Sequence, residues 1–439
     1  MAEVKFEINK DINNSRWGKL QKIVIQNIVT IIFVMLAIAG IMLSELSVTF
    51  IANELITRIT RNLFLVLSLI IPIIAGIGLN FGIVVGAMAG QMALIAVTYW
   101  GISGIPGFAL CVVVATPIAI LFGYLTGKLY NNTKGQEMIA GLILGYFANG
   151  IYQFIFLFLA GNVIPMKDSV MIKPDGIGLR NTIALNGDGV MDGANDGIKY
   201  AIDGIIRFDL SLILIIFAVA LILLNIYRMV RKKGYGREAN NTRFAFNIVI
   251  AIVVIIGSLA MMFLNLGSVS QIGGLKIPVV TWLIIALLCL FTVWILKTKL
   301  GQDFRTIGQS QHIGKVAGIN VNRTRIIAVI ISTVLAAWGQ IILLQNIGTM
   351  NTYGSHRQVG MFSVAAILIG GASVSKANIK HAILGVILFQ SVFIVSPTAG
   401  KTLFGDAQIG EFFRAFVVYF VIGLSLGLHA WKKRKLQNI

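Results

Sequence analysis

The side chains able to do chemistry in this 439-residue chain are few and scattered. His312, His356, His381 and His429 are far apart and lie near loops, and no His-Glu-x-x-His or similar metal set occurs. No residue reads as catalytic, and no metal site is expected. A phosphate-cradling Gly-x4-Gly-Lys-Ser/Thr loop is absent. The nearest cluster, Gly370-Gly371-Ala372-Ser373-Val374-Ser375-Lys376, has the wrong spacing. The chain is therefore not expected to bind and hydrolyse ATP itself, and it carries no cofactor of its own. The piece NGDGVMDGANDG looks superficially like a calcium loop. Its aspartates, Asp188, Asp192 and Asp196, are four apart rather than two, and the closing Glu is missing. It reads as a solvated, turn-rich cap.

More chemistry is available in amides placed within apolar runs: Asn80, Gln91, Asn149, Gln153, Gln340, Gln345 and Asn346. A buried amide needs a partner, either a neighbouring helix or a polar solute. Asn80, Gln91, Asn149 and Gln340 are the expected substrate-path residues. Asn80 and Gln91 stand beside a glycine series, Gly78-x3-Gly82-x3-Gly86-x3-Gly90. Four-residue spacing stacks these glycines on one helical face, where a second helix can approach closely. AMAGQMALI (87–95) is echoed by AAWGQIILL (336–344), a hint of an internal repeat.

Every charged residue falls at or beyond the edge of an apolar run. Glu137 is the deepest, and it reads as a favourable dipole partner in a first helical turn. A carrier without mid-membrane relays draws its energy from outside the chain. Amides without counter-charges favour a neutral or zwitterionic solute.

Composition sets the scaffold. The chain is 57% hydrophobic and 12% charged, with a mean hydropathy of +0.87. Soluble domains carry about 25% charged residues, so a soluble enzyme and a disordered chain are both excluded. The fold class is an all-α polytopic membrane protein with about 10–12 transmembrane segments, including short or broken helices. Apolar runs lie near 23–43, 63–79, 83–99, 105–126, 137–160, 210–227, 246–266, 278–296, 326–346, 361–375, 382–396 and 412–430. The stretch 63–99 is too long for one crossing, and Pro72, Gly76 and Gly78 offer the break. Cys111 and Cys289 both sit in apolar runs and imply no disulfide.

With the N-terminus inside, the segments facing the cytosol carry the whole net charge of +19 and the outer segments sum to zero. That is the positive-inside pattern, so the basic balance is a topology signal and not one for nucleic acid. The expected organisation is a cytosolic segment 1–22, a first membrane half 23–164, an acidic outer loop 165–209, an inserted helical hairpin 210–270 with a basic cytosolic loop, a second membrane half 271–430, and a basic tail 431–439. The polar first 22 residues do not read as a cleavable signal.

The most specific segment is 297–325, KTKLGQDFRTIGQSQHIGKVAGINVNRTR. Two short helices are expected, near 303–307 and 310–317, the second presenting Ile313, Val316 and Ala317 on one side. A modest apolar side on a charged element is what docking to a partner requires. The segment resembles the cytoplasmic coupling loop of permease subunits from bacterial ABC importers for branched-chain amino acids, simple sugars and nucleosides. The pattern Thr-x-x-Gly-x-x-x-Arg-Ala-x-Gly appears here as Thr298, Gly301, Arg305, Thr306 in place of Ala, and Gly308. Gly314 and Gly318-Ile319-Asn320-Val321 follow. GLNFGIVVGAMAGQ (78–91) and AAILIGGASVSKANIKHAILGVIL (365–388) are similar to further family segments in the right order. The likeness covers roughly 60–160 and 275–430 and leaves out 165–270.

That resemblance implies a permease in a bacterial cytoplasmic membrane. It implies pairing with a second permease subunit, as a homo- or heterodimer, with two cytosolic ATPase subunits that bind ATP and Mg, and with an extracytoplasmic substrate-binding protein. Thr298, Gly301, Arg305, Gly308, Gly314 and Gly318 would couple the ATPases to alternating access for a small solute, within membrane lipid and without nucleic acid. The alternative is a secondary transporter or channel for a small neutral solute.

Overall fold

The computed structural model describes residues 27–166, 171–186, 197–234, 241–264 and 267–437. The terminal segment 1–22 and the calcium-like aspartates Asp188, Asp192 and Asp196 lie outside them.

The first half contains α1 (Ile28–Leu43), α2 (Val48–Leu67), a single turn α3 (Ile70–Ile74), α4 (Ile83–Tyr99), α5 (Gly104–Asn132) and α6 (Glu137–Phe154), which ends in a π turn at Ile155–Leu159. A hairpin of α7 (Leu210–Gly234) and α8 (Asn241–Phe263) follows, then the short α9 (Ser268–Gly273). The second half runs α10 (Val279–Ile295), α11 (Lys299–Gln309), α12 (Gln311–Val316), α13 (Val321–Ile347), α14 (Val359–Ile369), α15 (Ile379–Phe404) and α16 (Ala407–Gln437). Among the described residues, 8 helices are long and apolar enough to cross a membrane, and α10 with α11 forms a ninth candidate bent by 74°. The shorter apolar helices α1, α4 and α14 complete a polytopic all-α protein.

The break in 63–99 falls at 75–82, where Gly76 (φ +73) and Gly78 (φ +84) take backbone conformations that L side chains resist. The span before it differs from the expected 63–79. Helix α2 starts at Val48, with Ser47 Oγ accepting from Phe50 N at 3.2 Å as an N-cap. Glu54, Arg58 and Arg61 therefore lie within a membrane helix, which corrects the expectation of charge-free spans. Hydropathy counting missed this because charges on one helical face lower the window average, while Ile51, Ile59 and Leu63 on another are buried.

Two faces of the bundle follow from the contacts. On one, the 75–82 break touches α11 at Gly308, and Asn131 Nδ2 donates to Asn322 O at 2.9 Å. Thr30 Oγ1 donates to Ile369 O at 2.7 Å on the same side. On the opposite face, two small antiparallel ladders tie the outer segments together. β1 (Thr182–Ala184) pairs with β4 (Thr349–Asn351), with Ile183 opposite Met350, and β2 (Arg207–Asp209) pairs with β3 (Lys276–Pro278), with Phe208 opposite Ile277.

The deepest packing is where α4, α5 and α13 meet. A Cβ on Gly86 would stand 2.4 Å from Thr333 O, and one on Gly90 2.4 Å from Ala337 O, so α4 and α13 run in parallel with their backbones nearly touching. The echoing segments 87–95 and 336–344 are thus neighbours in space. The glycine series does not form one four-member face: α4 begins at Ile83, and Gly78 and Gly82 precede it. Gly82 lies against Tyr130 and Thr126 of α5 instead.

Candidate functional site

Three polar regions stand out, and each is built differently. The first is the 297–325 hairpin. Thr298 caps α11, accepting from Gly301 N at 3.4 Å, and Ser310 caps α12, accepting from Ile313 N at 3.4 Å. Phe304 is fully buried in an apolar cluster with Ile71, Ala75, Ile77 and Ile295, which anchors α11 under the 75–82 break. Gly308 makes that approach possible, since a Cβ there would sit 2.0 Å from Ile74 O. A Cβ on Gly301 would stand 2.3 Å from Ile295 O, and one on Gly314 would stand 2.8 Å from the Ile307 side chain. Gly318 (φ +75) ends α12. Arg305 is exposed, and so are Ile313 (57%) and Val316 (78%). The result is a rigidly seated element offering two bare aliphatic side chains.

The hairpin's exit is held by a buried ion pair. Arg325, 1% exposed in the first turn of α13, meets Glu137 Oε1 at the start of α6 and reaches Tyr130 O at 3.5 Å. Glu137 Oε2 also accepts from Gly135 N at 2.9 Å. Glu137 is thus more than a dipole partner: it is the counter-ion of an arginine drawn into the bundle.

The second region is an amide network under the outer cap. Gln91 Nε2 donates to Asn351 O at 2.9 Å and Thr352 O at 2.7 Å, while its Oε1 faces His356 Nδ1 at 2.9 Å. His356 Nε2 faces Asn149 Oδ1 at 2.9 Å. Burial, with Arg357 beside it, pushes the His356 imidazole in this linker down to about 4, so it is neutral at physiological pH. Deeper in, Asn80 accepts from Tyr130 Oη at 2.8 Å and Gly82 N at 3.0 Å and donates to Ser332 Oγ at 3.2 Å. Gln340 and Gln345 are fully buried, and neither end of either amide has a partner. Asn80, Gln91 and Asn149 are engaged with the protein itself, and among these path residues only Asn149 reaches a cleft, one of about 50 Å³ shared with Arg357.

The third region is a cavity of about 270 Å³ that none of the expected path residues lines. Arg58, Arg61 and Asn62 come from α2, Ser355 and Gln358 from the linker before α14, Ser363 from α14, Gln390 from α15 and Arg414 from α16. Phe362, Phe389 and Phe393 form an aromatic wall, with the rings of Phe389 and Phe393 4.2 Å apart and Phe362 edge-on to Phe393 at 5.2 Å. Arg58 Nε holds Glu54 at 3.1 Å, one turn back on α2. Arg414 pairs with Glu411, and its guanidinium lies 4.9 Å over the Phe393 ring. Polar groups converging beside an aromatic wall make this cavity a candidate small-molecule site. The signal for it was present in sequence. Ser47 is an N-cap candidate, and Ile51, Leu55, Ile59 and Leu63 repeat every four residues, which together start a helix well before residue 63.

The family described as "Branched-chain amino acid transport system / permease component" matches residues 51–422. The xylose transport system permease protein XylH of Haemophilus influenzae is 24% identical over 87% of this chain and 88% of its own length. The autoinducer 2 import system permease protein LsrC of Klebsiella pneumoniae is 34% identical over 25% of this chain and 31% of its own. The L-arabinose transport system permease protein AraH of Escherichia coli is 27% identical over 30% and 39%. The chain thus spans about a third of the length of LsrC and AraH in these matches. No solved structure matches the chain. Both the family match and the XylH alignment extend beyond the two blocks, 60–160 and 275–430, that carried the likeness in sequence.

Proposed function

The chain belongs to the permease-component family of branched-chain amino acid transport systems, and from that membership we propose that it is the membrane subunit of an ATP-driven importer for a small polar solute, of the simple-sugar class. The observation that carries the reading is the seated hairpin with bare Ile313 and Val316. A cytosolic ATPase subunit would cover these side chains. Gly301, Gly308 and Gly314, pressed against their neighbours, would pass its movement into α3, α10 and α13 without slack. Arg305 would meet the same partner at the exposed edge. Two such permease subunits, two ATPases and an outer substrate-binding protein complete the assembly, with ATP bound by the ATPases. The solute class follows the names of the relatives, which include xylose and L-arabinose permeases.

In this scheme both termini and 297–325 face the cytosol, and the β1–β4 and β2–β3 ladders face outward, where the binding protein docks. The hairpin of α7 and α8, read as an insertion, stands beside that docking face. Closing of the ATPases would move α11 and α12 against the 75–82 break and reorient the helices around the solute path.

The decisive experiment is Val316→Asp in cells expressing the whole transport system. Uptake and co-purification of the ATPase are expected to be lost while the permease still inserts and stays folded, because the substituted side chain is exposed. Normal uptake with wild-type ATPase recovery sinks the coupling reading. Uptake that stops when the proton gradient is collapsed at constant ATP favours a secondary transporter instead. Cysteines at Lys134 and Asp175, both exposed, test orientation: only the Asp175 site is expected to react with an impermeant thiol reagent in intact cells.

A further inference from the structure

Resting on the permease reading, we propose that the outer cavity takes a solute bearing an anionic oxygen group, a carboxylate or a phosphate, with Arg61 as its counter-charge. Three guanidinium groups line this cavity and no carboxylate does. Two of them are already matched: Arg58 by Glu54, and Arg414 by Glu411. Among the described residues no carboxylate pairs with Arg61, which sits one helical turn from Arg58 on the same wall. An arginine within a membrane helix is costly unless it meets water, a counter-ion or a ligand. Here it is held facing a space large enough for a small solute.

The surroundings reinforce the sign. Lys199 and Arg207 flank the Tyr200 ring at 5.1 Å and 5.0 Å, and Tyr200 N donates to Gln345 O near the outer end of α13, the helix whose Leu343, Leu344 and Ile347 close the cavity. Among the described residues, the nearby carboxylates keep their charge but do not come within ion-pair distance of Arg61. Asp203 is engaged by Thr281 and, at 2.5 Å, by Asn346 Nδ2, and Asp209 holds Lys276 at 2.7 Å. Basic groups in the neighbourhood of a site raise the local concentration of anions around it. Inside, Asn62, Gln358, Ser363 and Gln390 can hydrogen-bond the rest of a hydroxylated solute, and the phenylalanine wall can take its apolar face. A planar guanidinium suits a carboxylate or phosphate through paired hydrogen bonds. The expectation of a neutral or zwitterionic solute rested on spans without counter-charges, and α2 does not meet that premise.

The test uses the purified full chain in phosphatidylcholine nanodiscs and reads thermal unfolding against D-xylose, D-glucuronate and D-glucose 6-phosphate at constant ionic strength. An anionic probe is expected to half-saturate about tenfold or more below D-xylose, the scale of one charge-assisted pair. Arg61→Gln should erase the difference and Arg61→Lys should keep most of it. Lys380→Gln, exposed on the other face, should change nothing. Ser363→Asp, which leaves Arg61 in place and adds a carboxylate to the cavity, should also cancel the preference, and it serves if Arg61→Gln does not fold. Equal binding of D-xylose, no effect of either anion, or a preference that survives Arg61→Gln overturns the proposal. Phospholipid phosphate retained by the wild type and lost in Arg61→Gln, with anions binding only after delipidation, would assign the site to a lipid headgroup and overturn it as well. ATPase co-purification reports on the permease reading separately, so the two can fail independently.

Discussion

The 297–325 hairpin and the arginine-lined cavity differ in how their polar residues are held. In the hairpin, positions are fixed by backbone contact. Glycines let α11 lie on α3 and α10, Thr298 and Ser310 cap the helices, and the exposed groups are few. In the cavity, residues from five helices and a linker converge, and charged side chains set the geometry through pairs within one helix, Glu54 with Arg58 and Glu411 with Arg414. Contacts between backbones cannot give, which suits the hairpin to the coupling role proposed for it. Adjustable side chains around open space suit the cavity to the solute-binding role proposed for it.

The largest expected effect breaks the rigid half of this contrast. In Gly308→Leu, even the first side-chain carbon would lie 2.0 Å from Ile74 O, so α11 has to leave its seat. Uptake is expected to vanish and ATPase co-purification to fail, while membrane insertion persists. Retained transport in this variant would mean that the hairpin is not held through the backbone.

Next comes the ion pair behind the hairpin. Arg325→Met leaves Glu137 buried without its partner and should cost about 3–5 kcal/mol. The double variant Arg325→Met, Glu137→Met should recover much of the loss, since replacing a buried pair with apolar groups is often near neutral. Thermal unfolding of both variants in detergent decides this, and equal loss in the two would assign the effect to packing alone.

The amide network gives a pH test. His356 titrates near 4 when folded and near its ordinary 6.5 when unfolded. The unfolded chain therefore takes up the proton first as pH falls. The contribution of this group is complete above about 6.5 and is lost as pH drops towards 4, amounting to roughly 3 kcal/mol at most. Unfolding temperatures at pH 7.5 and 5.0 should differ more in the wild type than in His356→Gln. An unchanged difference would show that other groups govern acid sensitivity.

The smallest expected effect on stability lies in the cavity. Gln390→Leu touches no hydrogen bond within the protein that its fold requires, and it should shift unfolding by only about 0.5 kcal/mol. In uptake it should raise the half-saturating solute concentration several-fold with the maximal rate little changed, as expected where a binding contact is removed. A fall in rate alone would move Gln390 from the solute site to the conformational cycle.

Much of this protein was written in local signals. Apolar run length gave the helices, and Gly76 and Gly78 gave the break. The Thr-x-x-Gly and Gly-Ile-Asn spacing marked the hairpin at 297–325, because its shape rests on neighbours in sequence and on glycines that close contact requires. Composition set the fold class, since hydrocarbon leaves a crossing chain no partner for its backbone but its own helices. The fate of each polar side chain was not local. Asn80 and Gln91 stood inside apolar runs as Gln390 did, yet the first two meet Tyr130, Thr352 and His356, while the last meets open space. Arg61 and Arg414 lie 353 positions apart in sequence and face one cavity. Whether a buried polar group holds the fold or awaits a ligand depends on what another helix places opposite it, and only the packed bundle decides that.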